Sequence, residues 1–208
     1  MLARAIPIAV LLLSLSSDAA AQEGDGAYGR LDHDVIFSVG VGGGFVVDGP
    51  SDGMLLAEVR ARYLDMVGVL VAPEWQVDAI GRLIVAVEMR PLWPARFLLN
   101  GFSGNEWLDL FLESVSVELG AAILPLTDQV GAGLAIGLGL DVPILVPSIF
   151  ADGLMLHLGA RHVRAGPSDQ AAPVTGGVSD WTFAASLVVK FGADLGIAAR
   201  EMPRYTVD

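Results

Sequence analysis

The stretch Val130-Gly-Ala-Gly-Leu-Ala-Ile-Gly-Leu-Gly-Leu-Asp-Val142 decides how the rest of the chain is to be read. Continued through Pro143 to Phe150, it makes an apolar run of about twenty residues, the length of a membrane-spanning helix. Its even positions, Val130, Ala132, Leu134, Ile136, Leu138, Leu140 and Val142, are mostly large. Its odd positions, Gly131, Gly133, Ala135, Gly137, Gly139 and Asp141, are small or charged. A period of two is the repeat of a strand whose faces meet different surroundings. Wound at about 100° per residue, the large side chains would spread all round a helix and the glycines would form no seam. Gly133 and Gly137 spell GxxxG, a weak signal where glycine also recurs every second residue. Asp141 would cost about 2.5–3.5 kcal/mol at the centre of a spanning helix. The stretch reads as a strand.

The same parity recurs outward from it. Strands are expected near 35–47, 54–64, 67–78, 81–92, 110–123, 130–142, 153–163 and 181–192. In the first, Phe37, Val39, Val41, Phe45 and Val47 alternate with Ser38, Gly40, Gly42 and Gly44. In the last, Trp181, Phe183, Leu187, Val189 and Phe191 oppose Ser186 and Lys190. An even number of alternating segments about ten residues long suits a transmembrane barrel, because a bilayer tolerates no open sheet edge. Two residues depart from the pattern. Glu113 falls on the apolar parity, which only a strand end would tolerate, and Pro73 removes a ladder donor and suggests a bulge.

The totals agree with that class. The chain of 208 residues fits one domain; it is 53% hydrophobic and only 17% charged. It has no cysteine, which excludes disulfides and thiolate metal sites. Twelve basic against 24 acidic residues give a net charge of −12, which argues against a nucleic-acid partner. Only Lys190 among the bases is lysine, the residue with which soluble β-proteins commonly guard their edges. Residues 1–21 read as a signal peptide: Arg4 supplies the basic start, Ile6–Leu15 the apolar core, and Ala19-Ala20-Ala21 the cleavage pattern. Residues 22–34 then form a flexible lead-in, 35–192 the barrel and 193–208 a tail.

The polar parity carries Glu58, Arg60, Arg62, Glu74, Glu88, Arg90, Glu118, Asp141, His157, Arg161 and Lys190, five acids against five permanent bases. Turned toward lipid, each Arg or Lys near the midplane would cost about 2–4 kcal/mol. The polar face is therefore expected inside, as a balanced charge network in a narrow lumen. The apolar parity carries Phe37, Phe45, Tyr63, Trp75, Trp93, Trp107, Trp181 and Phe191 near strand ends, the placement of membrane-interface aromatics.

With signal peptide, alternation and girdles in place, Val35 to Gly192 resembles the small eight-stranded outer-membrane barrels of Gram-negative bacteria, the group containing outer membrane proteins A, X and W. The resemblance implies an all-β, closed, antiparallel up-and-down transmembrane barrel in the cell outer membrane, with periplasmic termini. Outer-membrane lipids and the assembly machinery would be its partners, and Phe191 the aromatic that this machinery reads. Surface loops would then fall near 48–53, 79–80, 124–129 and 164–180, and long periplasmic connections at 93–109 and 143–152. Trp93-Pro-Ala-Arg-Phe-Leu-Leu99 would be a small plug or interfacial segment.

Hidden chemistry has two candidates. Ser114 and Ser116 share inward parity with His157 and Asp141, the residue types of a Ser-His-acid hydrolase, although interior groups of this kind more often just hydrogen-bond. Asp32-His33-Asp34 cannot all face one metal from an extended chain, and reads as solvated turn. His162 and Arg164 are expected at an interface or in solvent. No cofactor or metal is expected. The leading expectation is a non-enzymatic, porin-like envelope barrel with a side-chain-filled polar lumen, serving integrity or surface interaction. A soluble periplasmic barrel holding an apolar ligand is the alternative, and a lipid-modifying outer-membrane enzyme a further one.

Overall fold

The computed structural model describes residues 33–47, 53–76, 81–124, 131–145, 153–165, 179–193 and 195–196. Residues 1–21, expected to be a signal peptide, most of the lead-in and the tail beyond 196 lie outside the described residues, as do most residues of the expected loops. The strands are β1 (Val35–Val47), β2 (Gly53–Tyr63), β3 (Val67–Gln76), β4 (Arg82–Met89), β5 (Ser116–Ile123), β6 (Ala132–Leu145), β7 (Gly153–Ala165) and β8 (Ser179–Ala193). Two short helices, α1 (Leu92–Leu98) and α2 (Glu106–Glu113), lie between β4 and β5.

Each strand pairs antiparallel with its sequence neighbour, and β8 pairs with β1, so the sheet closes into an eight-stranded up-and-down barrel. Directly opposed residues lead from Ile36 through Arg62, Gly68, Glu88, Glu118, Gly137, Arg161 and Thr182 back to β1 at Val46. The circuit closes ten residues further along the strand (36 to 46). A stagger of that size over eight strands tilts them by about 40° and sets a radius of about 8 Å. Val35 and Ala193 face each other, so the barrel starts and finishes at one rim. We call it the near rim, and the opposite one the far rim.

Parity and closure together explain the glycines of the opening stretch. A methyl group at Gly137 would meet Glu118 Oε2 at 2.7 Å, and one at Gly139 would meet Ser116 Oγ at 2.5 Å and His157 Cε1 at 2.6 Å. The small face of β6 points inward because side chains from β5 and β7 lean across it. Its large residues Leu134, Ile136 and Leu138 point outward and stay exposed.

Several expectations need correction. Residues 110–115 are not strand: β5 begins at Ser116, and 106–113 form α2. The reason is local. Asn105 accepts the Leu108 N–H at 3.1 Å and caps a helix start. Glu113 accordingly sits on a helix, buried, with Arg96 at 3.7 Å. Pro73 interrupts the β2–β3 ladder but shifts no register, since Leu56↔Glu74 and Val59↔Val71 keep the same alignment. The irregularity lies instead between Pro143 and Leu145. Asp34 is buried rather than solvated, and its carbonyl accepts the Leu64 N–H at 2.9 Å; Asp32 lies outside the described residues.

Candidate functional site: the barrel interior and its outer face

All eleven residues of the polar parity project inward. Arg161 is the least covered of them, and the other ten are buried. Arg60 is the hub of the near half: its guanidinium reaches Glu58 at 2.7 Å, Glu88 at 3.4 Å, and Glu118 and Asp141 at 3.9 Å each. Arg62 pairs with Asp65 at 2.8 Å and Glu88 at 3.3 Å. Arg90 pairs with Asp65 at 2.9 Å and, more closely, with Asp141, which also takes Lys190 at 3.0 Å. A second chain climbs toward the far rim. In it Arg161 bridges Glu118 (2.7 Å) and Glu74 (2.5 Å), and Arg82 bridges Glu74 (2.5 Å) and Asp180 (2.8 Å). Arg82 also donates to Thr182.

Arg82, Asp65 and Asp180 are members that sequence reasoning left out. Arg82 and Asp180 share the inward parity of Glu88 and Lys190, so alternation could have found them. Asp65 sits in the β2–β3 turn with φ 54°, where no alternation applies. With them the ion pairs found in the interior among the described residues join six bases (Arg60, Arg62, Arg82, Arg90, Arg161, Lys190) to seven acids (Glu58, Asp65, Glu74, Glu88, Glu118, Asp141, Asp180).

The interior is not polar throughout. Leu70, Ala72, Ile84, Ala86, Ala122, Ala135 and Val163 form one buried apolar cluster. Val46, Met54 and Leu56 form another toward the far rim. Between the charges and these clusters lies a cavity of about 20 Å³, touched by Glu58, Glu118, His157, Arg161, Thr182 and Ser186. That is room for about one water molecule.

The structure does bring Ser116, His157 and Asp141 together. His157 Nδ1 lies 2.7 Å from Asp141 Oδ1 and 3.2 Å from Arg60 Nη1. A carboxylate only accepts and a guanidinium only donates, so Nδ1 cannot serve both; the shorter contact assigns its proton to Asp141. Ser116 Oγ flanks the same glycine as His157 but makes no hydrogen bond among the described residues. Ser114 is not part of the group. It caps α2, donating to the Phe111 carbonyl at 2.7 Å and accepting the Asp141 N–H at 3.0 Å.

The outer face is the complement of the interior. Along the eight strands the described outward positions carry no Asp, Glu or Lys, and Arg164 is their one permanent charge. Outward aromatics lie in two belts. Phe37, Tyr63 and Phe191 are at the near rim, with Phe37 stacked on Phe191 at 5.7 Å. Phe45, Trp75, Trp181 and Phe183 are toward the far rim, with Phe45 stacked on Phe183 at 5.6 Å. Between the belts the large exposed residues are aliphatic, such as Val39, Val41, Val59, Val69, Val87, Leu119 and Leu187.

Two tryptophans assigned to these belts from sequence do not belong to a strand. Trp93 is fully buried on α1; its Nε1 donates to the Leu64 carbonyl at 3.1 Å and its ring packs edge-on to Phe97 at 5.1 Å. It is the core of the helical pair, because Pro91 turns the chain into α1 two residues past β4. Trp107 is on α2, stacked on Phe111 at 5.3 Å and donating to the Pro143 carbonyl at 3.0 Å. Comparison with protein-family models, with curated proteins and with solved structures returned no match.

Proposed function

We propose that this chain is an integral outer-membrane β-barrel of the small Gram-negative kind, with a packed interior and no enzymatic activity, serving envelope integrity or surface interaction. The outer face carries the reading. Among the described residues, a belt of exposed aliphatic side chains with one permanent charge at its edge is foreign to a soluble monomer, where apolar patches rarely exceed a few hundred Å². Eight residues separate Phe37 from Phe45. At about 2.5 Å of axial rise per residue for strands tilted by about 40°, the belts stand about 20 Å apart, close to the roughly 25 Å apolar band of such barrels.

The interior supports a plug rather than a pore. Ion pairs span the near half, and Leu70, Ile84, Val163 and Met54 close much of the far half. It also tells against an apolar-ligand carrier, whose cavity would have to lie where Arg60 and Glu88 sit. A hydrolase would need its Ser-His-Asp group in reach of lipid, whereas Ser116, His157 and Asp141 are buried on the inner face, and the cavity that His157 touches is about 20 Å³. Fractionation tests the assignment. The protein should resist a high-salt wash, leave the membrane in detergent, and migrate differently on a gel before and after boiling. Release by salt alone would sink it.

A further inference from the structure

The reading of the outer face as a lipid face makes one place on it anomalous. His162 and Arg164 stand two residues apart on β7, both on the outward parity. Their cross-strand neighbours are Ile136 and Leu134 on β6, and Trp181 and Ser179 on β8. His162 lies against the Trp181 ring at 4.9 Å, and its Nε2 is 3.2 Å from Ser179 Oγ. Arg164 is exposed and, among the described residues, joins none of the interior ion pairs. By register it lies two residues beyond the Trp181 level, toward the far rim. Its place in the register is therefore on the far-rim side of Trp181, at the outer edge of the aromatic belt.

We infer that Arg164, His162 and Ser179 form a seat for the phosphate of an anionic lipid in the far-rim leaflet, with the acyl chains running down over Leu134, Ile136 and Phe183. Three points carry it. A basic side chain on a lipid-facing strand is costly at the midplane and cheap only near a headgroup. A guanidinium fork matches phosphate geometry, and the hydrogen-bonded Ser179–His162 pair keeps one further donor beside it. The apolar belt continues without interruption from these groups toward the near rim, so headgroup and chains of one molecule are accommodated together. The occupant is a membrane lipid rather than free phosphate, because the polar groups occupy only one edge of an otherwise apolar surface.

The inference rests on the membrane reading, and the experiment separates the two. The full-length protein, its R164Q variant and an R96Q control are refolded into phosphatidylcholine vesicles with and without phosphatidylglycerol. Insertion is scored by heat-modifiable migration, and lipid retained after detergent release by native mass spectrometry. The protein is expected to retain phosphatidylglycerol in preference to phosphatidylcholine. R164Q should insert normally and weaken that preference about five-fold, as one basic side chain at an anionic surface implies, while R96Q, on the helical pair, should leave it intact. Equal retention by all three inserted proteins would overturn the site, as would equal loss in R96Q. Displacement by inorganic phosphate beyond that by chloride of equal ionic strength would overturn the lipid assignment. Failure to insert into either vesicle would instead overturn the membrane reading, and the site with it.

Discussion

Arg60 shows how single residues are committed here. Four carboxylates and His157 stand within 4 Å of its guanidinium, and its own exposure is 1%. Removing one partner of a buried charge set leaves the others uncompensated, so Arg60→Gln should cost about 3–5 kcal/mol. The urea midpoint of the vesicle-folded variant measures it, and an unchanged midpoint would mean that the network is not what holds the near half. Gly139 makes a second case. A larger side chain there must push aside Ser116 and His157, so Gly139→Val should destabilise by about 1–3 kcal/mol through overpacking. At this scale parity made most of the interior legible. Glu58, Arg60 and Arg62 declare a face by alternating with Val59 and Ala61. Asp65 could not be read that way, because a turn residue belongs to neither face. Leu70 and Ile84 sit on the inward parity although their chemistry suggests lipid, so a purely polar lumen is too simple an expectation.

The helical pair between β4 and β5 is where reading by alternation fails. Trp107 and Phe111 share the odd apolar parity of Val117 and Leu119 in the strand that follows, although Asp109 and Glu113 break it. Leu108 and Leu112, both half-exposed, carry the helical spacing that competes with it. The decisive local signal is Asn105, whose side chain caps α2. Arg96 ties the pair together, reaching Asp109 at 2.5 Å and the Gly101 carbonyl at 2.7 Å. Trp93→Ala should therefore cost about 3–5 kcal/mol locally, through the lost ring and its bond to Leu64. The expected outcome is selective proteolysis between 93 and 109 in a barrel that still shifts on heating. Loss of both together would show that α1 and α2 fold as one unit with the barrel. The same lesson applies to the strand ends: β6 and β7 run two or three residues past the point where alternation alone would end them, because ladder pairing continues to Leu145 and Ala165.

For the whole molecule, closure was the most legible feature, since eight alternating segments with no edge to spare admit few other arrangements. The stagger of ten residues was not legible, because register is fixed by pairing that no single strand encodes. The proposed plug is a tilted barrel of about 8 Å radius whose described interior is occupied by ion pairs and by Leu70, Ile84 and Val163. Planar-bilayer recordings of the reconstituted protein should accordingly show no stepwise conductance, and sustained unitary currents would refute the plug. The proposal that lipid surrounds the sheet, with charge confined within it, is open to a cysteine scan, since the sequence contains no cysteine. Single cysteines placed in turn from Gly133 to Val142 and spin-labelled in vesicles would report contact with oxygen, which partitions into lipid, and with a water-soluble nickel complex. Oxygen contact should alternate with period two, maximal at Leu134, Ile136 and Leu138 and minimal at Ala135, Gly137 and Gly139. Nickel contact at Ile136 and its outward neighbours Leu134 and Leu138, or oxygen contact without alternation, would contradict the proposal.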